Sequence, residues 1–190
     1  MSFASARPGS LPGLLLAVTL LASGCGLGTP SAVDQKVADE TLARFPKEVL
    51  GAPFPTEAFY GDKLGDYEGQ IDDLARSLDV DPDRVLFIVG GNPRIGRENV
   101  TATAYRVLGV DAAKTKEYFL PLLQTPSGSP LPIRQVDIGG KDVEGIGTQT
   151  GASGSVSATF HEPMIYTKDD TVYLISGDAK PVEALLKALP

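Results

Sequence analysis

The sequence predicts an α+β fold in two layers, an antiparallel β-sheet with helices packed on one face. Strand-like runs come in adjacent pairs joined by short turns and do not alternate singly with helices, which favours antiparallel neighbours. Segments with apolar residues at helical spacing separate the pairs. The composition, 42% hydrophobic and 22% charged over 190 residues, is globular and allows one domain with a sizeable core.

From Ala32 to Phe45, the apolar positions Val33, Val37, Leu42 and Phe45 give a helical stripe that Pro46 ends. Residues 46–66 hold Pro46, Pro53, Pro55 and several glycines, so loop or irregular structure is expected. Tyr67, Ile71, Leu74 and Leu78 recur at helical spacing and predict a helix with one buried face. After a turn at Val80-Asp81-Pro82-Asp83, the run Val85 to Val89 reads as a central strand. A loop is expected from Gly90 to Glu98, and a return strand from Asn99 to Leu108. Asp111 is placed to cap a helix reaching Leu123, with Phe119, Leu122 and Leu123 inward and Pro121 a kink. Residues 125–130 read as a linker.

Beyond the linker, Val136 and Ile138 alternate, Gly139-Gly140 supplies a tight turn, and Val143 and Ile146 lie on the return strand. The uncharged stretch Gly145 to Ser155 reads as a mobile loop, followed by an alternating run at Val156, Ala158 and Phe160. Met164-Ile165-Tyr166 and Thr171 to Ile175 read as strands about a turn at Lys168-Asp169-Asp170. Asp178 is placed to cap a final helix in which Val182, Leu185, Leu186 and Leu189 share a face. Strand–strand–helix thus occurs twice, with similar helix starts at Gly109-Val110-Asp111-Ala112 and Ser176-Gly177-Asp178-Ala179. That echo points to a duplicated ββα unit.

The N-terminal segment has a different character. Arg7 precedes an uncharged apolar run from Leu14 to Ala22, and the small residues Ser23 and Gly24 follow. These are the three parts of an export signal. Counted from Leu11 the apolar stretch is about 12 residues, short of the roughly 20 that a spanning helix needs. The only cysteine of the chain, Cys25, comes next.

Leu21-Ala22-Ser23-Gly24-Cys25 resembles the lipobox of bacterial lipoprotein precursors, with Ala22 where that motif usually has Leu. The resemblance implies cleavage before Cys25, a diacylglycerol thioether on its sulfur, and a further acyl chain such as palmitate on the new amine. Residues 1–24 are then a signal peptide, residues 25–31 a lipidated cysteine and flexible tether, and residues 32–190 a single α+β domain. The whole-chain pattern resembles uncharacterised bacterial lipoproteins, which carry no known activity. The expected location is the extracytoplasmic face of a bacterial membrane, with the membrane as partner through Cys25.

Charge narrows the function further. The chain carries 17 Lys+Arg against 24 Asp+Glu, net −7, so nucleic acid is not the expected partner. One Cys and one His leave no usual zinc site or disulfide framework, and no cofactor is expected.

Several motifs suggest chemistry, and each has a plainer reading. Gly91 to Gly96 has phosphate-loop spacing, but Arg97 and Glu98 follow where Lys and Ser or Thr are needed. Asp79, Asp81 and Asp83 are spaced like the start of a calcium loop, but Arg84 and Gly90 stand where Gly and Glu are required. His161 follows Phe160 and reads as an exposed strand-end residue. Gly151-Ala152-Ser153-Gly154-Ser155 lacks the spacing of a serine elbow. Asn99-Val100-Thr101 matches a glycosylation sequon inside a predicted strand.

No catalytic residue is therefore assigned, and a binding or structural role is expected. Two rivals make distinct demands. A carrier of an apolar ligand requires an enclosed apolar cavity between sheet and helices. Separately, the six tyrosines could line a groove, and their spread along the chain also suits core-edge positions. A carboxylate hydrolase requires two acids about 5–10 Å apart in a cleft, one of them with a raised pKa. Its candidates are Asp72, Asp73, Glu162, Asp169 and Asp170.

Overall fold

A computed structural model describes residues 32–124, 131–147 and 163–190. Its helices are α1 (Gln35–Leu42), α2 (Glu68–Leu78), α3 (Ala112–Gln124) and α4 (Ala179–Ala188). Its strands are β1 (Glu48–Val49), β2 (Ala52–Pro53), β3 (Thr56–Phe59), β4 (Val85–Ile95), β5 (Glu98–Val107), β6 (Ile133–Ile138), β7 (Lys141–Ile146), β8 (Met164–Lys168) and β9 (Thr171–Gly177). The strands β1 and β2 form a small ribbon, and the other seven form one antiparallel sheet in the order β3-β4-β5-β9-β8-β7-β6. The α+β class with a large antiparallel sheet is as the sequence predicts.

The layering differs from the expectation of helices on one face. Leu86, Ile88, Ala102, Ala104, Tyr173 and Ile175 pack with Val33 and Ala38 near and within α1, and with Val182, Leu185 and Leu186 of α4. Their sequence neighbours Val85, Phe87, Tyr105, Val107 and Val172 pack with Ile71 and Leu74 of α2 and Phe119 of α3. Successive strand residues point to opposite faces, so the two clusters occupy the two sides of the sheet. Helices cover both, and the sheet is the middle of three layers. The order ββα does occur twice, as β4-β5-α3 and β8-β9-α4. However, α3 and α4 lie on opposite faces, so the second unit is not a copy of the first.

Several local expectations also shift. The irregular stretch 46–66 contains the edge strand β3, which pairs Thr56 with Gly90 and Phe59 with Phe87. The strand β4 does not stop at Val89 but runs to Ile95, with a register shift between Asn92 and Ile95 before a tight turn to Glu98. Gly90 is a necessary part of that extension, because a Cβ there would meet Phe54 and Thr56 at 2.8 Å. In α3 the residue Phe119 is buried as expected, while Leu122 is 59% exposed. The helix continues through Pro121. The Gly139-Gly140 turn appears as predicted, both residues with positive φ (66° and 79°).

Pairing fixes which residues share each end of the sheet. Val85 opposes Val107, and Arg106 opposes Thr171, so Asp83, Leu108 and the turn from Lys168 to Thr171 gather at one end. The β4–β5 turn at Gly96-Arg97 lies beyond the opposite end, past Val100 and Gly177, which are paired. Chain entry is at the first end, where the Val33 amide donates to the Asp83 carbonyl at 3.0 Å and the Ala32 amide to the Asp83 carboxylate at 3.3 Å.

Candidate functional site

Among the described residues, two arginines share one carboxylate at the chain-entry end, under α1. Arg106, on β5, follows Ala102 and Ala104 on the face that α1 covers. Its Nε donates to Asp170 Oδ2 at 2.6 Å, and its Nη1 to Thr41 Oγ1 at 3.0 Å. Arg44, just beyond α1, donates from Nη1 to Asp170 Oδ1 at 3.0 Å and to Thr171 Oγ1 at 2.8 Å. Thr41 and Thr171 are fully buried. The Thr41 hydroxyl donates to the Val37 carbonyl one turn earlier in α1.

The electrostatics follow from these contacts. Burial by itself would raise the Asp170 pKa, but hydrogen bonds and charge from Arg106 and Arg44 outweigh it and hold the carboxyl below its ordinary value. Burial disfavours the Arg44 cation, and Asp170 more than compensates, leaving its pKa raised. Tyr173 is fully buried beside this group, and its hydroxyl has no hydrogen-bond partner of ordinary geometry among the described residues. Burial raises its pKa, and nearby Arg44 partly offsets the rise. Both oxygens of Asp170 are occupied, so the cluster ties α1 to β5 and to the β8–β9 turn. Its position within the fold is structural.

Space for a ligand lies elsewhere. Three clefts among the described residues are open to solvent, and side chains between the sheet and the helices on each face pack into an apolar cluster. A cleft of about 630 Å³ runs between the end of α1 and the β2–β3 segment, lined by Leu42, Phe45, Pro53, Phe54 and Pro55 with Asp39 and Lys47 at its rim. A second, of about 430 Å³, lies along β3 and β4, with Phe59 and Tyr67 beside Gly90 and Gly91. Near it, Thr101 is exposed on β5, and its hydroxyl is 2.8 Å from that of Ser176 on β9.

The residues singled out from sequence are dispersed. Cys25, His161, Glu162 and the Gly151–Ser155 stretch lie outside the described residues. Asp79 ends α2 in a left-handed conformation (φ 55°), Asp81 precedes the 3-10 turn Pro82–Arg84, and Asp83 holds the chain entry. Asp73 pairs with Arg76 on the exposed side of α2, and Asp169 with Lys168. Gly91 to Gly96 sits in the hairpin with no helix after it. The structure groups no three His, Cys, Asp or Glu side chains that could hold a metal ion among the described residues. Asp170 is the one hydrolase candidate that joins a charged cluster, and its pKa moves down, opposite to a general acid.

The tyrosines follow the packing. Tyr67, Phe87, Tyr105 and Phe119 form a continuous ladder on the α2/α3 face, with ring centroids 4.7, 5.0 and 4.3 Å apart in turn. Burial drives the Tyr105 pKa far up, and its hydroxyl accepts a hydrogen bond from Gln70. Sequence reasoning overlooked Arg106, although a charged residue two places after Ala104 on an inward-facing row was the available signal. No family model, curated protein or solved structure matches the chain. No helix among the described residues is long and apolar enough to cross a membrane.

Proposed function

We propose that the chain is the precursor of an exported bacterial lipoprotein. A lipid on Cys25 holds its α+β domain at the extracytoplasmic face of the membrane, where it has a non-catalytic binding or structural role. The observation that carries this reading is the placement of the only cysteine directly after an apolar export-type segment with a small-residue end. Residues 25–190 have one positive charge fewer than the whole chain, giving net −8, so protein charge would not draw the domain to an anionic bilayer. Each buried CH₂ contributes about 0.8 kcal/mol, and stable attachment takes more than one acyl chain.

On this reading the domain binds a partner through its open surfaces. The cleft between α1 and β2–β3, with an apolar floor and one charge of each sign at the rim, offers one such surface. Intact mass of the membrane-extracted protein tests the anchor. The expected result is a chain beginning at Cys25 with added diacylglyceryl and acyl mass, and loss of that mass and of detergent-phase partitioning in Cys25→Ser. An unmodified mass, or a wild type that stays in the aqueous phase, overturns it.

A further inference from the structure

We infer that the end of the sheet bearing Asp83 and the Lys168–Thr171 turn faces the bilayer, and that the β4–β5 turn at Gly96-Arg97 is the membrane-distal reach of the domain. The inference rests on the anchor at Cys25 and adds an orientation to it. Its structural basis is the pinned chain entry. The Ala32 and Val33 amides both donate to Asp83, immediately before the Pro82–Arg84 turn leads into β4. The domain therefore hangs from one end of its longest strand.

Lengths rule out the inverted orientation. From Cys25 to Ala32 the chain advances seven residues, which span at most about 25 Å when fully extended. The strand β4 has 11 residues, so the far turn lies about 33 Å from the entry point at ordinary strand rise. An inverted domain, with Arg97 at the lipid surface, would lift Ala32 beyond the reach of the tether. An upright domain keeps Ala32 within that reach.

Charge at the entry end is mixed. Asp79, Asp81, Asp111 and Asp169 are exposed there together with Lys36, Lys63 and Lys168, and residues 25–190 are net acidic, so contact with anionic headgroups gains little. The acyl chains then keep that end near the surface without protein–lipid adhesion. The second cleft, beside Gly90 and Gly91, and the exposed Thr101 lie toward the distal half of the sheet, where a partner from outside the membrane meets them first.

The chain contains no tryptophan, which permits a direct test. Lys168→Trp and Arg97→Trp are each made in the full chain, extracted after lipidation, and reconstituted in phosphatidylglycerol/phosphatidylethanolamine vesicles carrying a dansyl-headgroup lipid. Energy transfer in the Lys168→Trp protein is expected to exceed that in the Arg97→Trp protein by at least about threefold, given a separation of roughly 30 Å along the strands. Equal transfer, or more from the Arg97 position, overturns the orientation. Intact mass of the same samples separates the two failures. Acylated protein with reversed transfer sinks the orientation alone, whereas unacylated protein sinks the anchor and the orientation with it.

Discussion

Asn99 and Asp178, 79 residues apart, clasp the start of β5 to the exit of β9. The Asp178 amide donates to the Asn99 carbonyl at 2.9 Å, while the Asp178 carboxylate accepts from the Asn99 amide at 2.7 Å and from its side-chain Nδ2 at 3.1 Å. Asp178 stands at the N-cap position of α4, yet its side chain makes no capping hydrogen bond to the helix. A cap and a clasp respond differently to substitution. Serine is a good cap but too short and uncharged to replace the carboxylate across the strands. Asp178→Ser is therefore expected to lose about 1–2 kcal/mol, close to Asp178→Ala, because the half-buried Asn99 amide loses its acceptor. Urea unfolding of the two variants checks this, and a serine variant at wild-type stability would mean the residue works as a cap.

Gly177 makes the clasp possible. Its φ is 139°, and a Cβ there would come within 2.8 Å of Val100 Cα on the neighbouring strand. Gly177→Ala combines backbone strain with displacement of β5, and a loss of roughly 2–4 kcal/mol is expected. The control is Gly69→Ala on α2, where a Cβ would meet nothing and the helix gains propensity. Thermal melts of the pair should move in opposite directions.

Acid should loosen the α1 attachment. The folded-state pKa of Asp170 lies below its unfolded value, so folding gains stability from this group above the unfolded pKa. That gain is lost as pH falls through the folded pKa. The difference in stability between wild type and Asp170→Asn is expected to be about 1–2 kcal/mol at neutral pH, allowing for the partial exposure of the pair, and to shrink below about pH 4. Urea midpoints measured for both proteins from about pH 7 down to about pH 3 test this. A difference that holds constant through the acid range would remove the electrostatic account.

The two faces of the helices can be compared by truncation. Leu186 is fully buried on α4, and Leu186→Ala should cost about 2–5 kcal/mol. Leu122, which sequence spacing places inward, is exposed on α3, and Leu122→Ala should stay within about 0.5 kcal/mol of wild type. A large loss at Leu122 would mean that a surface absent from the isolated domain covers it.

Strands and helices were legible in the sequence where local periodicity carried them. Val182, Leu185 and Leu186 became the buried face of α4, Leu189 is buried just past its end, and the Gly139-Gly140 turn set the β6–β7 hairpin. Layering was not legible. A helical stripe records that one side is buried and leaves open which face of the sheet buries it. The continuous run Val85 to Val89 did carry the information, since a strand apolar at every position has helices on both sides. The strand β3 was hidden by the prolines before it, whose effect on the chain ends at Pro55 because an edge strand tolerates them. Asp170 was recognised only as one acid among many, because its two arginine partners come from positions 64 and 126 residues away.

Among the described residues the shortest ladder of the sheet joins β7 to β8. It pairs Glu144 with Ile165 and Gly145 with Met164, and the Ile146 amide donates to the Pro163 carbonyl at 3.4 Å. What binds the outer hairpin is a buckle on each side of the joint. Lys116 of α3 grips Glu144 at 2.6 Å from one face, while Lys141 and Tyr166 close on the Pro190 carbonyl on the other. Loads on β6 and β7 are therefore shared between the backbone rungs and side-chain links to α3 and to the Pro190 carbonyl. Amide protons at the joint should trade with solvent well before those of the inner strands, while the hairpin itself stays in place.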